Sequence, residues 1–113
     1  MEPGAVAVVT GGGRGIGRAV ARALAGAGHP VCVDDTGVAL DGSTPDAGPA
    51  EAVAAEIGAA GGSAMASTID ARTRPQAEQL AAEVEAWGGS PANVFVHAAG
   101  TPGGGMLHRV SGQ

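Results

Sequence analysis

Residues 10 to 17 read Thr-Gly-Gly-Gly-Arg-Gly-Ile-Gly, and they lie between an apolar run (Ala5-Val6-Ala7-Val8-Val9) and an alanine-rich stretch from Arg18 to Ala27. A strand followed at once by glycines and then a helix is a turn whose backbone N–H groups face the same way as the helix N-terminus, and that combination suits a phosphate. Side chains in such a turn would hold the anion away from the backbone. Glycine at 11 permits the tight turn, glycine at 15 permits close approach, and glycine at 17 lets the helix pack against the strand. Thr10, Arg14 and Ile16 complete the candidate cradle.

The remainder of the chain repeats the strand-then-helix pattern. Apolar or β-branched runs near residues 5–10, 31–34, 64–69 and 93–97 alternate with helical stretches near 15–27, 49–60 and 74–87, which is the pattern of βαβ units around a parallel sheet. Gly28, Gly61 and Gly88 mark the helix ends, and Pro75 suits a first helical turn, where a missing N–H costs nothing. Gly37 to Gly48 is polar and broken and reads as a long loop. From Thr101 onward there is no periodicity to assign. The expected division is a dinucleotide-binding half-domain over residues 1–100 and an irregular tail over 101–113.

Composition narrows the function. The 113 residues carry a formal charge of -5, and the six basic residues are scattered arginines, so a nucleic-acid partner is disfavoured. No apolar run approaches the roughly 18 residues of a membrane span, and the acidic, proline-bearing start is unlike a signal peptide, so no membrane partner and a cytoplasmic location are expected. The single cysteine, Cys32 in Val31-Cys32-Val33, reads as a small buried hydrophobe. The apolar residues are mostly alanine and valine, with one Trp and one Phe; each buries little area, and low stability is expected of the isolated chain.

Eighteen residues after Gly17, just past the second apolar run, stands Asp35, where a dinucleotide fold places the carboxylate that accepts hydrogen bonds from the adenosine ribose. Asp34 is the competing candidate. A carboxylate there repels a 2′-phosphate, so NAD is expected over NADP, although Arg14 could pair with a phosphate. A P-loop reading requires a lysine after the glycines, and the chain has none. An S-adenosylmethionine-binding, methyltransferase-like fragment also places an acidic residue after the second strand and remains as an alternative.

Thr10-Gly11-Gly12-Gly13-Arg14-Gly15-Ile16-Gly17, Asp35, Asp70 and His97-Ala98-Ala99-Gly100 together resemble the N-terminal part of a short-chain dehydrogenase/reductase. The resemblance implies a partial Rossmann fold, an α/β doubly wound arrangement with a four-stranded parallel sheet of order 3-2-1-4 and about three helices. It implies an NAD(P)-binding oxidoreductase acting on a secondary alcohol or carbonyl. It also implies that Asp70 contacts the adenine amino group and that Ala98, Ala99 and Gly100 line the cofactor at the end of the fourth strand. There the family has Asn-Asn-Ala-Gly; this chain has His97-Ala98-Ala99-Gly100, and His97 reads as a strand-end residue. The stretch Asp35 to Ser43, with Ala59-Ala60-Gly61-Gly62, further resembles the dehydrogenase part of peroxisomal multifunctional enzymes, which handle 3-hydroxyacyl-CoA.

In this family a Tyr is the acid/base and a Lys lowers its pKa and holds the ribose, with a Ser and an Asn completing the group. The chain contains neither tyrosine nor lysine, and a phenol with an ordinary pKa of about 10 needs a neighbouring cation to act near neutral pH. No catalytic residue is therefore assigned, nor any metal ligand. The expectation is a cofactor-binding portion inactive alone; the alternatives are a non-catalytic nucleotide-binding module or a subunit completed by another chain. The resemblance also predicts two helices on one sheet face, one on the other, an open edge at strand four, and loss of the family's dimer contacts.

Overall fold

In the computed structural model, residues 4–13, 15–36, 48–98 and 108–111 are described. Four strands, β1 (Ala7–Thr10), β2 (Val31–Asp34), β3 (Ala64–Ser67) and β4 (Val94–His97), alternate with three helices, α1 (Gly15–Gly26), α2 (Gly48–Ala59) and α3 (Arg74–Gly88). The strands pair in parallel in the order β3-β2-β1-β4. This is the α/β Rossmann-like arrangement expected from the sequence. Gly48, expected at the end of a loop, instead opens α2; residues 37–47 of that loop lie outside the described residues.

The tail expected to be irregular contributes a fifth strand, β5 (His108–Ser111), antiparallel to β4. The open edge predicted for strand four is thus paired along Val94–His97. Four residues of mixed polarity hold no alternation that a sequence can display, and an antiparallel edge strand needs no continuous apolar run.

The helices begin and end for reasons written in the sequence. At the end of α1, Gly28 takes φ +97°, and the His29 N–H reaches back to the Leu24 carbonyl at 3.1 Å. At the end of α2, Gly61 takes φ +91° and the Gly62 N–H reaches the Ile57 carbonyl at 2.9 Å. Both are six-residue closures that need the left-handed conformation at one position, and glycine is the residue that adopts it without strain. Helix α3 starts after Thr73 with Pro75 in its first turn, and Gly89, one residue past Gly88, supplies its left-handed cap.

Two thin layers of core flank the sheet. On one face, Ala7, Val9, Val31, Val33, Val94 and Val96 meet Ala21 of α1 and Ala50, Val53 and Ile57 of α2. On the other, Val6, Val8 and Cys32 meet Leu80 and Val84 of α3, with Met65 and Phe95 partly buried beside them. The two-against-one distribution of helices follows the expectation. Burial pushes the Cys32 thiol up to about 12, aided by the charges of Asp34 and Glu83, so it carries no thiolate near neutral pH. No helix among the described residues is long and apolar enough to cross a membrane.

Candidate functional site

The carboxyl ends of β1, β2, β3 and β4 lie side by side, with Thr10 in register with Asp34 and with His97, and Asp34 in register with Ser67. The glycine turn leaves this edge from β1 and enters α1. In an open α/β sheet, ligands bind outside the carboxyl ends of the strands, and the turn sits between β1 and its neighbours at that edge.

Three glycines of the turn are required by geometry. A Cβ at Gly17 would fall on the Gly11 carbonyl oxygen and lie 3.0 Å from the Gly12 Cα, so α1 crosses the turn backbone to backbone. Gly11 and Gly15 take φ values of +70° and +56°, the left-handed region disfavoured for side chains. A Cβ at Gly15 would meet nothing within 4 Å: the protein leaves space there, at the first residue of α1, where backbone N–H groups have no intrahelical partner. Ile16, beside it, is 56% exposed, an uncovered large apolar side chain at the helix start.

Gly13 has a role that the sequence did not disclose. Its N–H donates to Asp35 Oδ2 at 3.0 Å, and a Cβ at this position would approach both that oxygen and Pro49 of α2 within 3 Å. The Gly12 N–H donates to the Asp34 carbonyl at 3.1 Å. The glycine turn and the end of β2 are therefore fastened together by two bonds. Of the two candidate aspartates, Asp35 faces the glycine turn.

Asp34 lies on the opposite face, the one covered by α3. Alternation along β2 puts it in line with Cys32, and it is 3% exposed. Burial pushes its carboxyl up to about 6; the Ser67 hydroxyl and the Ile69 N–H oppose this shift, and the charges of Asp35 and Asp70 add to it. Its Oδ1 is buried without a hydrogen-bond partner.

Thr10 is nearly buried, and its hydroxyl lies 2.8 Å from His97 Nδ1 in a hydrogen bond that ties β1 to β4. The Ala98 N–H donates to the Thr10 carbonyl at 2.9 Å, extending the pairing past the strand end. Asp70 follows β3, and both its oxygens receive the Arg72 guanidinium, the Nη2 contact at 2.6 Å; this pairing holds its carboxyl below the ordinary range. Arg14, Ala99 and Gly100 lie outside the described residues. The structure thus brings Thr10, Gly11, Gly15, Ile16, Gly17, Asp35 and Ala98 to one edge of the sheet, with Asp70 at the end of the adjoining β3. A separate groove between the later turns of α1 and α2, bordered by Arg22, Glu56, Ile57 and Gly61, includes none of these residues.

The short chain dehydrogenase family profile matches residues 5–113. The hydroxyacyl-CoA dehydrogenase ChsB1 of Mycobacterium tuberculosis is 39% identical over 112 residues, covering 96% of this chain and 32% of the relative. The crystal structure of a short chain dehydrogenase from Mycobacterium avium is 43% identical, with a TM-score of 0.76, over 88% of this chain and 34% of that one. A 7α-hydroxysteroid dehydrogenase complexed with NADH and 7-oxo glycochenodeoxycholic acid superposes with a TM-score of 0.70 at 30% identity, over 82% of this chain and 32% of that one. A metagenomic short-chain oxidoreductase in complex with NADP does so with a TM-score of 0.67 at 35% identity, over 82% and 38%. The chain therefore spans about a third of the length of these relatives.

Proposed function

This chain belongs to the short-chain dehydrogenase family, and from that premise we propose that it is the NAD-preferring dinucleotide-binding portion of an oxidoreductase acting on a secondary alcohol or carbonyl. The observation that carries this reading is the bond from the Gly13 N–H to Asp35 Oδ2, which sets a buried carboxylate against a glycine turn at the head of α1. The residues fit the dinucleotide. Gly15 leaves open space for a pyrophosphate beside the first-turn N–H groups of α1, which have no intrahelical partner, and Asp35 can accept from ribose hydroxyls while repelling a 2′-phosphate.

In this reading Gly11 and Gly17 hold the turn against α1, Ile16 covers the cofactor from the solvent side, and Ala98 forms its floor at the end of β4; Ala99 and Gly100, next in the sequence, are assigned to cofactor binding by the family resemblance alone. Asp70 accepts from the adenine amino group with the lone pairs that Arg72 leaves, a carboxylate having about four such sites. Thr10 holds the floor to β1 through its carbonyl, and His97 orients the Thr10 hydroxyl. Bound nicotinamide would supply hydride exchange with the substrate carbon. The chain itself holds no Tyr or Lys to move the accompanying proton, so we assign it binding and orientation and no turnover alone. Residues 1–100 are the binding unit in this account.

A second reading keeps the same site and adds a partner: a subunit completed by another chain that supplies the Tyr and Lys. The absence of both residues from this sequence favours it over a self-sufficient enzyme. Incubation of the purified chain with NAD and a panel of secondary alcohols, with NADH formation followed by absorbance, tests both. No turnover is expected from the chain alone, and turnover on adding a chain bearing Tyr-x-x-x-Lys selects the second reading. Turnover without any partner contradicts the assignment.

A further inference from the structure

Past the carboxyl end of β3, the Ile69 N–H donates to Ser67 Oγ at 3.1 Å, and Ile69 and Ala71 pack partly buried against the core layer under α3. Asp70 and Arg72 alternate with them and join each other outside that layer. The Arg72 Nε–H spans Oδ1 and Oδ2 of Asp70 at 2.9 and 3.0 Å, its Nη2 donates to Oδ2 at 2.6 Å, and its backbone N–H donates to Oδ1 at 3.1 Å. The next arginine is engaged elsewhere: Arg74 lies 3.6 Å from Glu78, one turn along α3. We propose that Arg72 is a positioning residue for adenine, holding the Asp70 carboxylate in one orientation with one acceptor position left, so that the site tells a purine amino group from a purine carbonyl. The inference rests on the reading of Asp70 as the adenine acceptor, and it gives a task to a residue that the family resemblance leaves without one.

A carboxylate offers about four acceptor positions. The backbone N–H, Nε–H and Nη2–H of Arg72 fill three of them, and by fixing the carboxylate they fix the direction of the fourth. A free aspartate loses rotamer freedom when it meets a ligand; this one has already lost it. The pairing also offsets the charge that a bare carboxylate would set against an anionic pyrophosphate. Arg72 holds the Asp70 carboxyl below the ordinary range, so it stays ionised and accepts without donating. An adenine amino group, a donor, suits such a position, whereas the carbonyl oxygen of hypoxanthine, an acceptor, does not. A part in holding the fold is small by comparison. The Arg72 side chain is 84% exposed and buries little of its stem, and exposed ion pairs add little to stability.

The test is calorimetric titration of the 113-residue chain with NAD and with nicotinamide hypoxanthine dinucleotide, in which a carbonyl replaces the adenine amino group. Wild type, Arg72→Ala, Arg72→Lys, Asp70→Asn and the Asp70→Asn/Arg72→Ala double variant are compared. Wild type should prefer NAD, and Arg72→Ala should cut that preference by about 3- to 10-fold. Arg72→Lys keeps the charge but not the planar fork and should lose the preference to a similar degree. Because Arg72 acts through Asp70, Arg72→Ala should change nothing further once Asp70 is Asn. Retention of the full wild-type preference in either Arg72 variant overturns the proposal, as does an equal effect of Arg72→Ala with and without the Asp70 carboxylate; both results leave the ribose and pyrophosphate reading intact. Equal affinity of wild type for the two dinucleotides overturns the proposal together with the adenine assignment of Asp70. No binding of either dinucleotide overturns the proposed function as well.

Discussion

Gly13 and Asp35 are 22 positions apart in sequence and joined by a 3.0 Å hydrogen bond from backbone N–H to carboxylate, which fixes the glycine turn against the end of β2. The bond holds Asp35 Oδ2 on the turn side of the sheet. Asp35→Ala should weaken NAD binding by about tenfold and raise the affinity for NADP relative to NAD, read by titration with both. An unchanged ratio of affinities removes Asp35 from the ribose site.

The two glycines at the head of α1 fail in different ways when replaced. Gly15→Val has space for its side chain but forces a β-branched residue to φ +56°, so a stability cost of about 1–3 kcal/mol is expected together with loss of dinucleotide affinity. Gly17→Ala would set its methyl on the Gly11 carbonyl and should disturb the junction of turn and helix, visible as a larger fall in melting temperature. Retained affinity in a folded Gly15→Val chain contradicts the cradle.

Stability should depend on pH through Asp34. Its folded-state pKa, about 6, lies above the ordinary 3.8, so the folded chain binds more protons between these values and stability falls as pH rises through that window. Moving from pH 7.5 to pH 5 should stabilise the chain through this group by about 1–1.5 kcal/mol, with denaturant midpoints as the measure. Asp34→Asn should flatten the dependence. A wild-type profile that rises from pH 5 to 7.5 contradicts the burial of an ionisable Asp34.

Thr10→Val keeps the volume and removes the hydroxyl that meets His97 Nδ1 at 2.8 Å. Loss of this nearly buried link between β1 and β4 should cost about 1 kcal/mol in denaturant unfolding. Wild-type stability in the variant means that the pair contributes nothing to holding the strands.

The parallel sheet and its helices were legible because valine-rich runs, alanine-rich stretches and chain-reversing glycines such as Gly28 and Gly61 carry their structural reasons in their own chemistry. Other features were not. His108–Ser111 has no apolar alternation, and it forms a strand because β4 offers an unpaired edge. Which face Asp34 and Asp35 each meet follows from alternation along β2 and from the side of the sheet that α3 covers, a long-range property. Gly13 looked like one more glycine in a run; only the approach of Asp35 and Pro49 in space gives it a specific task.

The most direct test of the central claim is a thermal unfolding scan of the purified 113-residue chain alone and with NAD, NADP or S-adenosylmethionine. A ligand at 100 times its dissociation constant that binds only the folded state adds about 2.7 kcal/mol of stability. The account predicts a cooperative transition that moves upward with NAD, less with NADP, and not with S-adenosylmethionine. A larger shift with S-adenosylmethionine, or no shift with saturating NAD, contradicts it.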